Sequence, residues 1–244
     1  MRWAAPALAL AALVLAGCET TAEESAKLEK QAKAHERVAR VQSTPLSARV
    51  AHASTRAHVT GALVMRGSEA TAVAVTLANT SSSTLRDIPI EVTAHGSGGS
   101  VVYTNDVAGL SPSLTSVALL PAHSSLTWID DQVQATAAPS SVSARLGEGE
   151  RVTQGIPRLS AEGRVTEVSS SGVLLEGHVV NHSSVEQREL VVYCVARRGG
   201  RVVAVGRAVL TQAPAHSATR FEIFFEGNPK GAQLELTAPP TTLG

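Results

Sequence analysis

Ala72-Val73-Ala74-Val75-Thr76-Leu77-Ala78-Asn79 is the stretch that decides the fold. Val73, Val75 and Leu77 alternate with small residues. That is the period of a β-strand, whose successive side chains point to opposite faces. A Ser/Thr turn follows, and then Ile88, Ile90 and Val92 alternate with Asp87, Pro89 and Glu91. Two alternating runs across a turn predict half-buried strands. Gly96 to Gly99 make a flexible turn before Val101-Val102-Tyr103. Short strands parted by Gly, Ser and Pro predict an all-β sandwich.

The second half repeats this pattern. Asn79-Thr80-Ser81 corresponds to Asn181-His182-Ser183, and Pro121-Ala122-His123-Ser124 to Pro214-Ala215-His216-Ser217. Leu77 and Val73 before the first Asn match Val179 and Leu175 before the second. Ile88, Ile90 and Val92 after it match Leu190, Val192 and Cys194. Trp128 and Phe221 follow the two prolines at the same distance. The interval from Asn to Pro is nine residues longer in the first copy, and Asp106 to Ser116 is the segment that accommodates the excess. The reading is a duplicated domain. Gly147, Gly149, Gly155 and Pro157 cluster with charges and mark the hinge.

Gly177-His178-Val179-Val180-Asn181, a later Gly turn and Phe221-Glu222-Ile223-Phe224 resemble the FxLYD-type and related immunoglobulin-like modules of bacterial envelope proteins. The family's Tyr-Asp pair before the Gly turn is missing. Ala196-Arg197 stand there in the second copy and His95-Gly96 in the first. The resemblance implies a fold and little about activity.

The N-terminus reads as an address. Arg2 gives a short positive segment, Trp3 to Val14 is apolar, and Leu15-Ala16-Gly17-Cys18 follows. This is the layout of a secretory signal, and its apolar part is short of the roughly 18 residues that span a bilayer. Leu15-Ala16-Gly17-Cys18 resembles the lipobox of bacterial lipoproteins. The resemblance implies cleavage between Gly17 and Cys18 and a diacylglycerol thioether on Cys18. Two acyl chains anchor stably where one does not.

Residues 21–41 read as a helix. Glu23 and Lys27, and Glu29 and Lys33, stand in the favourable i,i+4 order, while Leu28, Ala32, His35, Val38 and Val41 make a thin apolar seam. Pro45 ends it. A solvated spacer suits the charge density, and a docking or coiled-coil helix is the alternative.

Without its first 17 residues the 244-residue chain suits two domains of about 100 residues each. The formal net charge is zero, so no global field draws in nucleic acid. Aromatic residues are 3% of the chain, so Val, Leu, Ile and Ala must build the cores. The cysteines are Cys18 and Cys194. With Cys18 lipidated, Cys194 has no partner within the chain, and the domains must stand on apolar burial.

Catalytic chemistry finds little foothold. The nucleophile elbow G-x-S-x-G is absent. His95-Gly96-Ser97-Gly98-Gly99 reads as a hairpin turn. Asn79 and Asn181 suit turns because Asn bonds its own backbone two residues on. His52, His58, His95, His123, His178, His182 and His216 lack the close spacing of a metal site, and Asp130-Asp131 alone would make a poor calcium cage. Asp130-Asp131 therefore reads as a cap or a solvated loop. Cys194 has the phase of an inward strand residue. Arg197-Arg198-Gly199-Gly200-Arg201 is the sharpest charge feature: Gly199-Gly200 signals a hairpin, and Arg197, Arg198 and Arg201 form a candidate interaction tip.

The sequence thus predicts an all-β protein with two tandem immunoglobulin-like β-sandwiches. Residues 1–17 are the signal, 18–43 the lipidated N-terminus and helical spacer, 44–147 the first sandwich, 148–157 the linker and 158–240 the second sandwich. The expected function is a lipid-anchored, non-enzymatic envelope protein on the exported side of a bacterial membrane. It would bind an envelope protein or polymer, with no cofactor, no metal and no nucleic acid. The alternative is a small-solute- or metal-binding lipoprotein with its site between the two domains.

Overall fold

The computed structural model describes residues 50–67, 70–107, 109–169 and 172–244. Gly17, Cys18 and the expected helix at 21–41 lie outside the described residues. The described chain is all-β and forms two sandwiches.

In the first sandwich, β1 (Ala57–Arg66), β2 (Thr71–Asn79) and β6 (Ser125–Asp130) form a sheet in the order β1-β2-β6. The facing sheet is built around β3 (Leu85–His95). Both β4 (Val101–Thr104) and β5 (Ser116–Leu120) pair with it, as do β7 (Ser141–Leu146) and β8 (Glu150–Arg151). Val73, Val75 and Leu77 meet Ile88, Ile90 and Val92 between the sheets, and all six are fully buried. Strict alternation in the sequence therefore places one core face on each strand.

The second sandwich pairs β9 (Leu159–Ser169), β10 (Gly172–Asn181) and β13 (Ala218–Phe224) in the order β13-β10-β9. Its other sheet holds β11 (Gln187–Arg198), β12 (Arg201–Ala213), β14 (Glu226–Gly227) and β15 (Gln233–Thr237) in the order β14-β12-β11-β15. Leu175, Val179, Leu190, Val192, Cys194 and Phe221 fill its core.

The repeat extends to hydrogen bonds and dihedral angles. Asn79 Nδ2 donates to the carbonyls of Ser83, Leu120 and Pro121, and its Oδ1 accepts from Ser81 N and Oγ. Asn181 Nδ2 donates to Val185 O and Ala213 O, and its Oδ1 accepts from Ser183 N and Oγ. Each Asn buries its amide to satisfy the backbone where β2 or β10 ends. Among the described residues four non-glycine residues have left-handed backbone, in two repeat-related pairs: Asp87 and Glu189 at φ 49° and 48°, His123 and His216 at φ 50° and 51°.

The nine-residue excess falls where β12 is continuous and its counterpart is broken. Between β4 and β5 the chain leaves the sheet, with a 3₁₀ turn at Pro112–Leu114. Asn105 fills the gap. Its Oδ1 accepts from Val92 N at 2.9 Å, and its Nδ2 donates to Ile90 O and Leu114 O. One buried amide thus replaces the ladder that the departing backbone takes away.

The segment 148–157, expected as a linker, is partly strand. Glu150 and Arg151 form β8 and pair Arg86 and Leu85. The Arg86 guanidinium meets Glu150 at 2.6 Å, which helps hold this segment against β3.

Candidate functional site: the junction of the two sandwiches

The described residues, from Val50 onward, belong to one compact unit, and the reason lies in second faces. Beyond the residues of β2 that face its own core, Ala72 and Ala74 are also buried. On β11, Leu190, Val192, Cys194 and Ala196 face their own core, while Val191, Tyr193 and Val195 belong to the buried cluster of the first sandwich, together with Val205 of β12. The outward face of β11–β12 therefore packs against the first sandwich. Strands buried on both faces read as continuous apolar runs, and Leu190 to Ala196 is such a run.

Polar residues lock one end of this junction. Arg207, on β12 opposite Tyr193, extends toward the first sandwich. Its Nε meets Asp131 Oδ1 at 2.6 Å, and its Nη1 donates to Ser113 Oγ at 3.2 Å. The Arg207 side chain is 2% exposed and that of Asp131 27%. Trp128 Nε1 donates to the Ser113 carbonyl at 2.9 Å. The nine-residue excess of the first copy thus delivers Ser113 to both the tryptophan of its own core and the arginine of the other sandwich.

Asp130 points elsewhere. It is fully buried, accepts from the Tyr103 hydroxyl at 2.5 Å through Oδ2, and from Gln132 N at 2.9 Å through Oδ1. Burial raises its pKa above the ordinary aspartate value, against the opposing pull of those hydrogen bonds and of Arg207. The Tyr103 phenol is raised as well, by burial first and then by the Asp130 charge. The two adjacent carboxylates therefore serve separate partners and do not converge on a cation. Asp130 is a core residue, where the sequence suggested a cap or a solvated loop.

A cavity of about 210 Å³ opens beside this lock, between the sandwiches. Tyr193 lines it and is 3% exposed. The expected hinge at Gly147–Pro157 contributes none of its lining residues.

The arginine tip does not gather its charges. Gly199 and Gly200, at φ 57° and 78°, make the tight turn between β11 and β12. Arg197 Nε bonds Glu235 Oε2 at 2.9 Å. Arg198 donates to the carbonyls of Asn228 and Lys230. Arg201 is exposed. Two of the three guanidiniums are committed to the neighbouring 228–235 segment.

Among the described residues no three His, Cys, Asp or Glu side chains gather as a metal site. Cys194 is buried in the second core, and burial pushes its thiol up to about 12. A thiol held so far above neutrality is a poor nucleophile. Ser160 Oγ and His182 Nε2 lie 2.9 Å apart, a contact between different segments that sequence spacing could not show. Both are exposed, and no carboxylate bonds the imidazole among the described residues, so the pair lacks the third group that orients a base. Among the described residues no helix is long and apolar enough to cross a membrane.

A scan against protein-family models finds no match for this chain, and a search of curated proteins finds none either.

Proposed function

We propose that the chain is a lipid-anchored, non-enzymatic protein of a bacterial cell envelope, presenting its joined sandwiches as a binding surface for an envelope protein or polymer. The anchor rests on Leu15-Ala16-Gly17-Cys18. The carrying observation for the binding role is Phe224. It is 65% exposed on β13, between the buried Ile223 and Phe225. It pairs across the sheet with Leu174 of β10. The same face otherwise carries charge: Glu162 and Arg220 flank His178, and Arg164 and Glu222 flank Glu176. An exposed aromatic on a firm sheet, rimmed by charged residues, has the composition of an interface anchor. A chain of this kind acts by contact and needs no reactive group.

Two measurements test the reading. Cys18→Ala should move the protein from the membrane fraction to the soluble fraction and remove the lipid mass. A photo-crosslinker at Glu222 should capture one discrete envelope component, and Phe224→Ser should abolish that product while leaving the fold intact. Undiminished crosslinking in the Phe224→Ser variant would refute the proposed face.

A further inference from the structure

The cavity between the sandwiches has a feature that packing alone does not require. Its walls include Pro112, Ser113, Ala118, Val191, Tyr193 and Pro239, so both copies and the C-terminal segment contribute. The lining is mostly apolar. Tyr193 is almost wholly buried, and its hydroxyl has no hydrogen-bond partner among the described residues. Tyr hydroxyls that are buried usually find a partner. An unpaired one is costly to bury. The charges of Arg207, Asp131 and Asp130 act on this phenol. Ser113, which accepts from Arg207, lines the same cavity as Tyr193, while the other side of Tyr193 borders a smaller hollow beside Thr76 and Thr127.

We infer that this cavity is a binding site for a neutral, mostly apolar small molecule, about the size of one substituted aromatic ring, that offers an oxygen acceptor to the Tyr193 hydroxyl. Size sets the first limit. An apolar cavity of roughly 150 Å³ holds benzene, and about 210 Å³ leaves room for a short substituent. Charge sets the second. Asp87, 3.5 Å from the Arg86 guanidinium, and Glu189 stand in the lining together with Arg188, whose guanidinium is engaged by Glu186 at 2.9 Å. Glu189, which has no ion pair among the described residues, disfavours an anion. Arg207, beside Ser113, disfavours a cation at the inner end. A neutral acceptor satisfies both and completes the phenol. The site belongs to neither sandwich alone, and this inference stands apart from the Phe224 face.

Binding to the full chain can be followed by backbone amide NMR shifts, with acetophenone as the probe. Ethylbenzene serves as the same-shaped control without an acceptor, and benzoate as the anion. Acetophenone should give saturable shifts confined to residues 111–118 and 188–193, with ethylbenzene about tenfold weaker, the equivalent of one hydrogen bond, and benzoate weaker still. Tyr193→Phe should fold normally and erase the preference for acetophenone while keeping ethylbenzene binding. Ala118→Leu should fill the cavity and abolish both. Equal affinities for acetophenone and ethylbenzene in the unmodified protein would overturn the inference. So would shifts that persist in Ala118→Leu, or a lack of saturable shifts, which would leave the cavity to water. A marked loss of stability in Tyr193→Phe would reveal a protein partner for the hydroxyl and overturn it too. If Ala118→Leu fails to fold, the selectivity lost in Tyr193→Phe still decides the matter.

Discussion

β2 and β10 occupy the same place in the two copies and differ in one respect. Facing their own cores they match: Val73, Val75 and Leu77 against Leu175, Gly177 and Val179. On the opposite face, β2 carries Ala72, Ala74 and Thr76 where β10 carries Leu174, Glu176 and His178. The small residues of β2 are covered by the second sandwich. The charged residues of β10 meet solvent. β3 and β11 show the reverse assignment. Pro89, Glu91 and Thr93 stand on the second face of β3, where β11 has buried Val191, Tyr193 and Val195. One duplicated frame has thus been joined asymmetrically, with one sheet from each copy surrendering its solvent face. The fold is written in the first set of alternating residues, and the assembly in the second.

The strongest way to break the comparison is to exchange the second faces. Ala74 is the counterpart of Glu176 and is buried against the other sandwich. Ala74→Glu should cost upward of about 3 kcal/mol, because a carboxylate without a partner enters the junction. Glu176→Ala, the reciprocal change on a solvated face, should stay within about 0.5 kcal/mol. Urea denaturation of both variants measures this. Equal effects would mean that the two strands have equivalent surroundings.

Arg207 probes the same junction through its polar end. Arg207→Ala strands Asp131 and Ser113 and opens a void, and should destabilise by about 2–3 kcal/mol, since Asp131 retains some contact with water. Arg207→Met keeps the volume and removes the charge, and should recover about half of that loss. A double-mutant cycle with Asp131→Asn isolates the pair. A coupling near zero would assign the whole effect to packing.

Much of this was legible in the chain, for a physical reason. Strand alternation and the Asn and Pro-x-His-Ser turns are local signals, so the two sandwiches, the duplication and the place of the nine-residue excess could be read directly. The junction is not local. Ala72, Ala74 and Thr76 looked like ordinary small residues between core residues, yet apolar residues on both faces of a strand already imply two buried faces. Leu190 to Ala196 carried the same signal more strongly. Arg207, between Val205 and Val209, was a charge in the apolar middle of its strand and therefore a candidate for a buried pair. The Tyr103–Asp130 and Ser160–His182 contacts join segments whose pairing depends on register across the fold. No spacing along the chain encodes them.

Asp130 separates the two copies again. It stands two residues beyond Trp128, and the residue two beyond Phe221 in the second copy is the buried, apolar Ile223. The Asp130 pKa is raised in the folded state, mainly by burial. The folded protein therefore holds this proton more tightly than the unfolded chain. The associated stability is full below the ordinary Asp value of about 4 and is lost as pH rises through the higher folded value. Asp130→Asn removes that dependence while keeping an acceptor for Tyr103. The variant should gain on the unmodified protein as pH rises from about 4 toward neutrality, which melting temperatures across that range would record. A constant difference across the range would show that the carboxyl titrates alike in both states.

The smallest expected effect concerns the residues the copies share. Asp87 and Glu189 hold left-handed backbone at φ 49° and 48°, and each is passed over in the pairing of its strand: Arg86 and Ile88 pair Leu119 and Val117, while Arg188 and Leu190 pair Gln212 and Leu210. Both interrupt a ladder without shifting its register, and glycine meets that conformation without the Cβ penalty. Asp87→Gly and Glu189→Gly should each stabilise by about 0.5 kcal/mol, the relief of strain being partly offset by the freer unfolded chain. Both residues also line the cavity between the sandwiches. A gain in stability with unchanged acetophenone affinity would make the strain a property of the repeated frame. A gain accompanied by weaker discrimination against benzoate would show that the acidic side chains are kept, despite the strain, because they screen what enters.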